Sequence, residues 1–156
     1  MLVVHNISLP PGEFGSGLVE RFFCNCLDTS ADPALSSICD LRVSAHLLID
    51  RQGAISQFVP FHLRAWHAGV STYAGRDNCN DFSIGVELEG TDTSGYSDNQ
   101  YSALIGVAGL LMSEYPALSA DRIVGHSDIA PGRKTDPGPG FDWLRFCEGL
   151  TRGRQQ

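Results

Sequence analysis

Apolar and polar positions along the chain mark out several short strands and two clear helices. Leu2-Val3-Val4 is a β-branched run that predicts a strand, with His5 at its C-terminal end. Residues 6–17, with Pro10, Pro11, Gly12 and Gly15, are expected to form a loop. Leu18, Val19, Phe22, Phe23 and Cys26 then recur at helical spacing. Residues 28–41 show no period and predict a further loop. Two strands are expected over 45–49 and 54–58, joined by Asp50-Arg51-Gln52-Gly53, which suits a type I turn closed by a left-handed glycine. Residues 61–69 carry His62, Trp66 and His67, and 73–81 reads as a polar loop.

The second half is more sharply patterned. Over 83–89, Ile84, Val86 and Leu88 face one way, while Ser83, Gly85, Glu87 and Glu89 face the other. A strand there presents Glu87 on the face opposite its apolar row, and Gly85 leaves room beside it. Residues 97–115 predict the longest helix: Ser97 and Gln100 form a capping-box pair. Tyr101, Leu104, Ile105, Ala108, Leu111, Met112 and Tyr115 make its apolar stripe, and Pro116 ends it. Ile123 and Val124 deliver His126 as if from the end of a strand. Three prolines and four glycines between Gly125 and Gly140 then argue against regular structure. That stretch holds His126, Asp128, Arg133, Lys134 and Asp136, and Phe141 and Trp143 resume an apolar pattern. Trp143, Phe146, Cys147 and Leu150 predict a last short helix that stops before Gly153. Strands interleaved with helices imply an α/β fold of the α+β type: a central mixed sheet flanked by helices, with residues 1–156 as a single domain.

Composition narrows the function classes. Hydrophobic residues make up 42% and charged residues 19%, which fits a globular chain and not a disordered one. The net charge of −7 opposes binding to nucleic-acid phosphates. No apolar run reaches the roughly 20 residues of a membrane span, and residues 1–10 do not resemble an export signal. Cys24, Cys26, Cys39, Cys79 and Cys147 are odd in number and lack paired spacings, which is the pattern of free thiols in a reducing compartment.

Of the five histidines, His46 and His62 read as packed or satisfied side chains and His67 as intermediate. His5 and His126 differ, since each closes a predicted strand and opens a Pro/Gly-rich loop, where a ligand is held firmly yet open to substrate. Hydrolytic zinc sites take three protein ligands and keep a fourth position for water. His5, His126 and Asp136 would supply such a set, although spacing cannot link residues so distant, and His-Glu-x-x-His is absent. A serine or cysteine nucleophile is the competing enzyme reading. It is weak, because Gly-x-Ser-x-Gly is absent and no cysteine is flagged by its neighbours. Gly12-x-x-Gly15-x-Gly17 neither follows a strand nor ends in Lys-Ser/Thr, so no phosphate-cradling loop is indicated.

Four motifs in order carry a resemblance. They are Val3-Val4-His5-Asn6-Ile7-Ser8-Leu9-Pro10-Pro11-Gly12, Arg64-Ala65-Trp66-His67-Ala68-Gly69, Asn80-Asp81-Phe82-Ser83-Ile84-Gly85-Val86-Glu87-Leu88-Glu89-Gly90, and Gly125-His126-Ser127-Asp128-Ile129-Ala130-Pro131 with Lys134-Thr135-Asp136-Pro137-Gly138-Pro139. Together they resemble the zinc-dependent N-acetylmuramoyl-L-alanine amidases, and within them the cytoplasmic amidases of 1,6-anhydro-muropeptides. The resemblance runs nearly end to end, and the wider group includes phage amidases and peptidoglycan-recognition proteins. It implies one zinc per chain on His5, His126 and Asp136, with Glu87 activating water and Lys134 stabilising the tetrahedral intermediate. It also implies substrate contacts at Arg42, Trp66, Asn78, Leu88, Ala130 and Arg133.

The reaction implied is hydrolysis of the amide joining the lactyl group of anhydro-muramic acid to L-alanine of the stem peptide. This would serve cell-wall recycling and, in some bacteria, control of β-lactamase induction. A monomer in the bacterial cytoplasm, with no nucleic-acid or membrane partner, is the matching expectation. There are two departures: His5 lies almost at the start of the chain, where members usually carry a few tens of residues before it, and Asn78 stands where well-known members have arginine. A short natural form or an internal start site accounts for the first. A binding module that holds muropeptide without cutting it is the second function class, and its signature, a lost ligand, is absent. A secreted autolysin would call for an export signal and a wall-binding module.

Overall fold

The computed structural model describes residues 1–28 and 33–153. Its centre is a five-stranded sheet in the order β3-β2-β6-β1-β7, formed by β1 (Leu2–Ile7), β2 (Leu47–Ile49), β3 (Ile55–Gln57), β6 (Ile84–Glu89) and β7 (Ile123–Gly125). β1 pairs in parallel with β6 and β7, β2 pairs in parallel with β6, and only the edge strand β3 runs antiparallel. A two-stranded ribbon, β4 (Thr72–Tyr73) and β5 (Arg76–Asp77), stands apart from the sheet. This is the mixed sheet flanked by helices that the strand and helix patterns predict.

The alternation along β6 divides the molecule. Ile84, Val86 and Leu88 join Leu2 and Val4 of β1 and Leu47 and Ile49 of β2 in one cluster, covered by α2 (Asp98–Glu114) and α4 (Trp143–Gly153). Burying each such aliphatic side chain stabilises the fold by roughly 1.5–3 kcal/mol. Ser97 caps α2 with its hydroxyl on the Gln100 amide, and the Gln100 side chain returns to the Ser97 amide, both at 3.1 Å. Gln100 also donates to the Glu89 and Ile49 carbonyls, which ties the start of α2 to the ends of β6 and β2. On the opposite face, α1 (Leu18–Phe23) packs Val19, Phe22 and Phe23 against Leu48 and Ala45.

Several expectations change. His5 lies inside β1, because the strand runs on to Ile7 rather than stopping at Val4. Pro33–Ser37 forms a 3₁₀ turn within the loop expected over 28–41, and residues 29–32 of that loop lie outside the described residues. The polar loop expected over 73–81 is instead the β4–β5 ribbon followed by a 3₁₀ turn at Cys79–Asp81, since Ala74 and Gly75 adopt the paired left-handed conformations of a tight hairpin. The stretch after β7 is not wholly irregular, because His126–Ile129 winds one helical turn, α3, before Pro131 and Gly132. The helix α4 includes Gly153, and Cys147 on it is exposed, as is Tyr115 beyond the end of α2. His62 is exposed rather than packed. His46 is packed as expected: its Nδ1 accepts from the Gly85 amide and its Nε2 donates to the Leu63 carbonyl.

Candidate metal centre and active site

Strand register brings the first two groups together. His5 and Glu87 are direct partners on β1 and β6, and both project from the face turned away from α2 and α4. The end of β7 and the turn of α3 bring His126 to the same face, and the segment that follows returns Asp136. That return is fixed by the Ser127 amide donating to the Asp136 carbonyl at 3.0 Å.

The donor atoms of these three residues form a tight triangle. His5 Nδ1 and His126 Nδ1 are 2.9 Å apart, and each lies 3.0 Å from Asp136 Oδ2. Donors around a four-coordinate metal at about 2.0–2.1 Å are spaced only slightly wider, so this set can hold a metal ion. The electrostatics favour the ligating forms. Burial holds His5 down to about 4, and therefore neutral near pH 7. Burial alone would raise Asp136, but its contacts with the His126 and His5 imidazoles outweigh it and hold the carboxyl below the usual range, ionised.

Glu87 differs from these three residues. It is only 8% exposed, and its Oε2 has no hydrogen-bond partner among the described residues. A buried unpaired carboxylate oxygen is costly, and beside a metal-capable cluster it fits a place for water or a reacting group. Burial first, and then the neighbouring Asp136 carboxylate, push Glu87 well above its ordinary range, with Lys134 opposing them. Lys134 itself is exposed on the loop between the two last ligands. Its amide and that of Arg133 both donate to the Ala130 carbonyl, so buried Ala130 sets the turn that presents these two cations.

The other expected contacts are distributed unevenly. Trp66 is 54% exposed, with the Arg64 guanidinium 3.9 Å over its ring and Arg64 in turn paired to Asp81. Arg133 lies over this same segment, donating through Nε and Nη2 to the carbonyls of Val70 and Ala68. That leaves its Nη1 donors for another partner. Arg42 is exposed and donates to the Cys39 carbonyl, and Asn78 is exposed in a left-handed conformation. Leu88 is placed differently: its side chain lies in the core under α2, not on the site face. A cavity of about 880 Å³ lies elsewhere, at the N-terminal ends of β1 and β6 between Met1, Ile84, Tyr115 and Leu118.

His67, intermediate on sequence grounds, touches His5 of the metal-capable triangle. Its Nδ1 is 2.9 Å from His5 Nε2, and burial, followed by the other histidines around it, keeps it well below its usual range. The sequence offered one signal, Gly85, which the strand pattern had marked as leaving room.

Residues 1–139 match the Amidase_2 family, N-acetylmuramoyl-L-alanine amidase, and the chain belongs to that family of amide hydrolases. It is 60% identical over 146 residues to the 1,6-anhydro-N-acetylmuramyl-L-alanine amidase AmpD of Salmonella typhimurium strain SL1344, covering 94% of this chain and 78% of that protein. The crystal structure of a selenomethionine derivative of AmpD is 58% identical with a TM-score of 0.93, covering 96% of this chain and 83% of that one. The Escherichia coli amidase AmiD, solved with anhydro-N-acetylmuramic acid-L-Ala-D-γ-Glu-L-Lys, is 30% identical with a TM-score of 0.71. That likeness covers 96% of this chain and 56% of AmiD.

Proposed function

We propose that this chain is a zinc amidase that hydrolyses the lactyl-amide bond between 1,6-anhydro-N-acetylmuramic acid and L-alanine of the stem peptide. The observation that carries this reading is the His5–His126–Asp136 triangle with the unpaired Oε2 of Glu87 on the same face. Two imidazoles and one carboxylate are a donor set suited to a single zinc with a position left open. Zinc in such a site lowers the pKa of a water to about 7 and polarises a carbonyl.

The chain's own groups complete the chemistry. Glu87 takes a proton from the attacking water at Oε2, and the water oxygen adds to the lactyl carbonyl carbon. Lys134 offers positive charge to the carbonyl oxygen as it becomes an oxyanion. Glu87 then returns the proton to the alanine nitrogen as the C–N bond breaks, leaving a lactyl carboxylic acid and a free peptide amine. Trp66 offers an exposed apolar wall for the sugar, and Arg42, Asn78, Ala130 and Arg133 border the stem peptide. Leu88 can contribute only through its backbone.

The same reading makes residues 1–156 one catalytic domain, working as a monomer in the bacterial cytoplasm on imported wall fragments and, in some bacteria, affecting β-lactamase induction. The identity to AmpD enzymes supports it, and no helix among the described residues is long and apolar enough to cross a membrane. The test is a rate comparison of zinc-loaded protein on soluble anhydro-muropeptide and on intact sacculi at equal bond concentration, with released peptide measured by mass spectrometry. Rapid cleavage of the soluble fragment and much slower release from sacculi is expected. Comparable rates would favour an autolysin, and binding without cleavage would favour a recognition module.

A further inference from the structure

The two ligand histidines lie 121 residues apart in sequence, yet the nearest acceptors behind both rings come from one dipeptide; Arg133 Nη2, which donates to the Ala68 carbonyl, also stands 3.4 Å from His126 Nε2. His5 Nε2 is 2.9 Å from His67 Nδ1, and His126 Nε2 is 3.0 Å from the Ala68 carbonyl oxygen. An imidazole that offers Nδ1 to a metal carries its proton on Nε2, so each ring needs an acceptor at that point. The Ala68 carbonyl is always an acceptor. His67 Nδ1 is one only when its own proton lies on Nε2.

The surroundings of His67 meet that condition. Its Nε2 is 3.2 Å from Ser83 Oγ, and the Ser83 hydroxyl is itself directed to the Cys79 carbonyl at 2.5 Å. With that hydroxyl proton committed, Ser83 Oγ accepts from His67 Nε2–H. The chain therefore runs one way, from His5 Nε2–H to His67, from His67 Nε2–H to Ser83, and from Ser83 to Cys79. Two further features hold the dipeptide in place. Buried Asn80 accepts through Oδ1 from the amides of His67 and Ala68, at 3.0 and 2.8 Å. Gly85 leaves the space beneath the ring, since a Cβ there would lie 2.4 Å from His67 Cγ.

We propose that His67 and Asn80 are positioning residues for the metal: the His67–Ala68 dipeptide, clamped by Asn80 and seated over Gly85, fixes the orientation and tautomer of both ligand imidazoles. The proposal rests on the metal reading above. A histidine that merely fills the core would alter stability and leave metal affinity unchanged.

The test is zinc affinity measured by chelator competition on folded protein. His67→Leu is expected to weaken zinc binding about 10–100-fold, the usual cost of losing such a partner. His67→Asn, whose amide oxygen can replace Nδ1, should recover most of it, and Asn80→Asp should bind zinc better than Asn80→Leu. In ¹⁵N-histidine-labelled zinc-loaded wild type, NMR should find the His67 proton on Nε2 and a coupling across the hydrogen bond from His5 Nε2 to His67 Nδ1. This second measurement applies even if His67→Leu does not fold. Equal zinc affinity in wild type and His67→Leu, or a His67 proton on Nδ1, would overturn the proposal alone. A wild-type protein that takes up no zinc would overturn the metal reading with it.

Discussion

His5 and Glu87 stand on adjacent parallel strands at the middle of the sheet, whereas His126, Lys134 and Asp136 stand on a stretch broken by three prolines and four glycines. On the strand side, placement follows from register and from apolar packing beneath, with Val4 and Val86 alternating with the functional pair. On the loop side, almost every placement is a polar tie. The Asn6 side chain and Tyr96 hydroxyl both donate to the Pro137 carbonyl, and the Gly140 amide donates to the Asp92 carbonyl. The strand wall should therefore respond to lost volume, and the loop wall to lost hydrogen bonds or lost room.

The largest effects are expected at the three proposed ligands, where both walls are needed. His5→Ala, His126→Ala and Asp136→Ala should each fail to retain stoichiometric zinc in elemental analysis and lose turnover to background. Wild-type zinc content and turnover in Asp136→Ala would remove the loop wall from the metal site.

Next come the two groups proposed to do chemistry without binding metal. Glu87→Gln should keep its zinc and lose about 10²–10⁴ in kcat, and Lys134→Ala about 10²–10³. Glu87 also predicts a stability signature in metal-free protein. Its folded pKa is raised above the ordinary 4.5, so the stability it contributes is complete below that value and is lost as pH rises through the raised one. Metal-free Glu87→Gln should therefore exceed metal-free wild type in Tm at neutral pH, and the gap should close as the pH falls toward 4.5. A gap independent of pH would mean that Glu87 is not held in this way.

Two substitutions then probe the walls separately. Leu88→Ala should cost about 2–5 kcal/mol in denaturant unfolding and leave KM nearly unchanged, because that side chain lies under α2 and not in the site. Gly138→Ala should cost about 1–3 kcal/mol, since Gly138 is left-handed and an added Cβ would lie 2.3 Å from Asp92 Cα. Unlike Leu88→Ala, it should also weaken zinc binding. The opposite pattern would reverse the assignment of the two walls.

The smallest effects belong to the rim. Arg133→Ala should raise KM more than it lowers kcat, and Asn78→Arg should lower KM several-fold. The second change costs about 1–2 kcal/mol, because Asn78 has a φ of 61°, which arginine adopts less readily. An unchanged KM in both would leave these side chains without a part in binding.

What the sequence disclosed follows the same division. The alternation over 84–89 placed Glu87 on the functional face, and the capping pair located α2, because both signals are local and periodic. The extension of β1 past His5 was hidden, since Asn6 and Ile7 are held by β6 rather than by their own propensity. The β4–β5 ribbon leaves no plain signal in the sequence because its turn is Ala74-Gly75 rather than the familiar Asn-Gly. The ligand triangle could be named from motifs but not built from spacing. The partnership of His67 with His5 joins residues 62 apart, and no local pattern carries such a contact.

β1 is made well before its hydrogen-bonding partners, β6 at Ile84–Glu89 and β7 at Ile123–Gly125. Leu2, Val3 and Val4 must therefore wait, unpaired, until residues 84–89 and 123–125 have emerged. So high a share of distant strand pairing belongs to the slower end of folding rates. It leaves a sticky apolar segment open to other chains during translation. Heat or crowding at synthesis should thus deplete the active protein well before it melts the finished one, and added zinc cannot help until residue 136 has joined the fold.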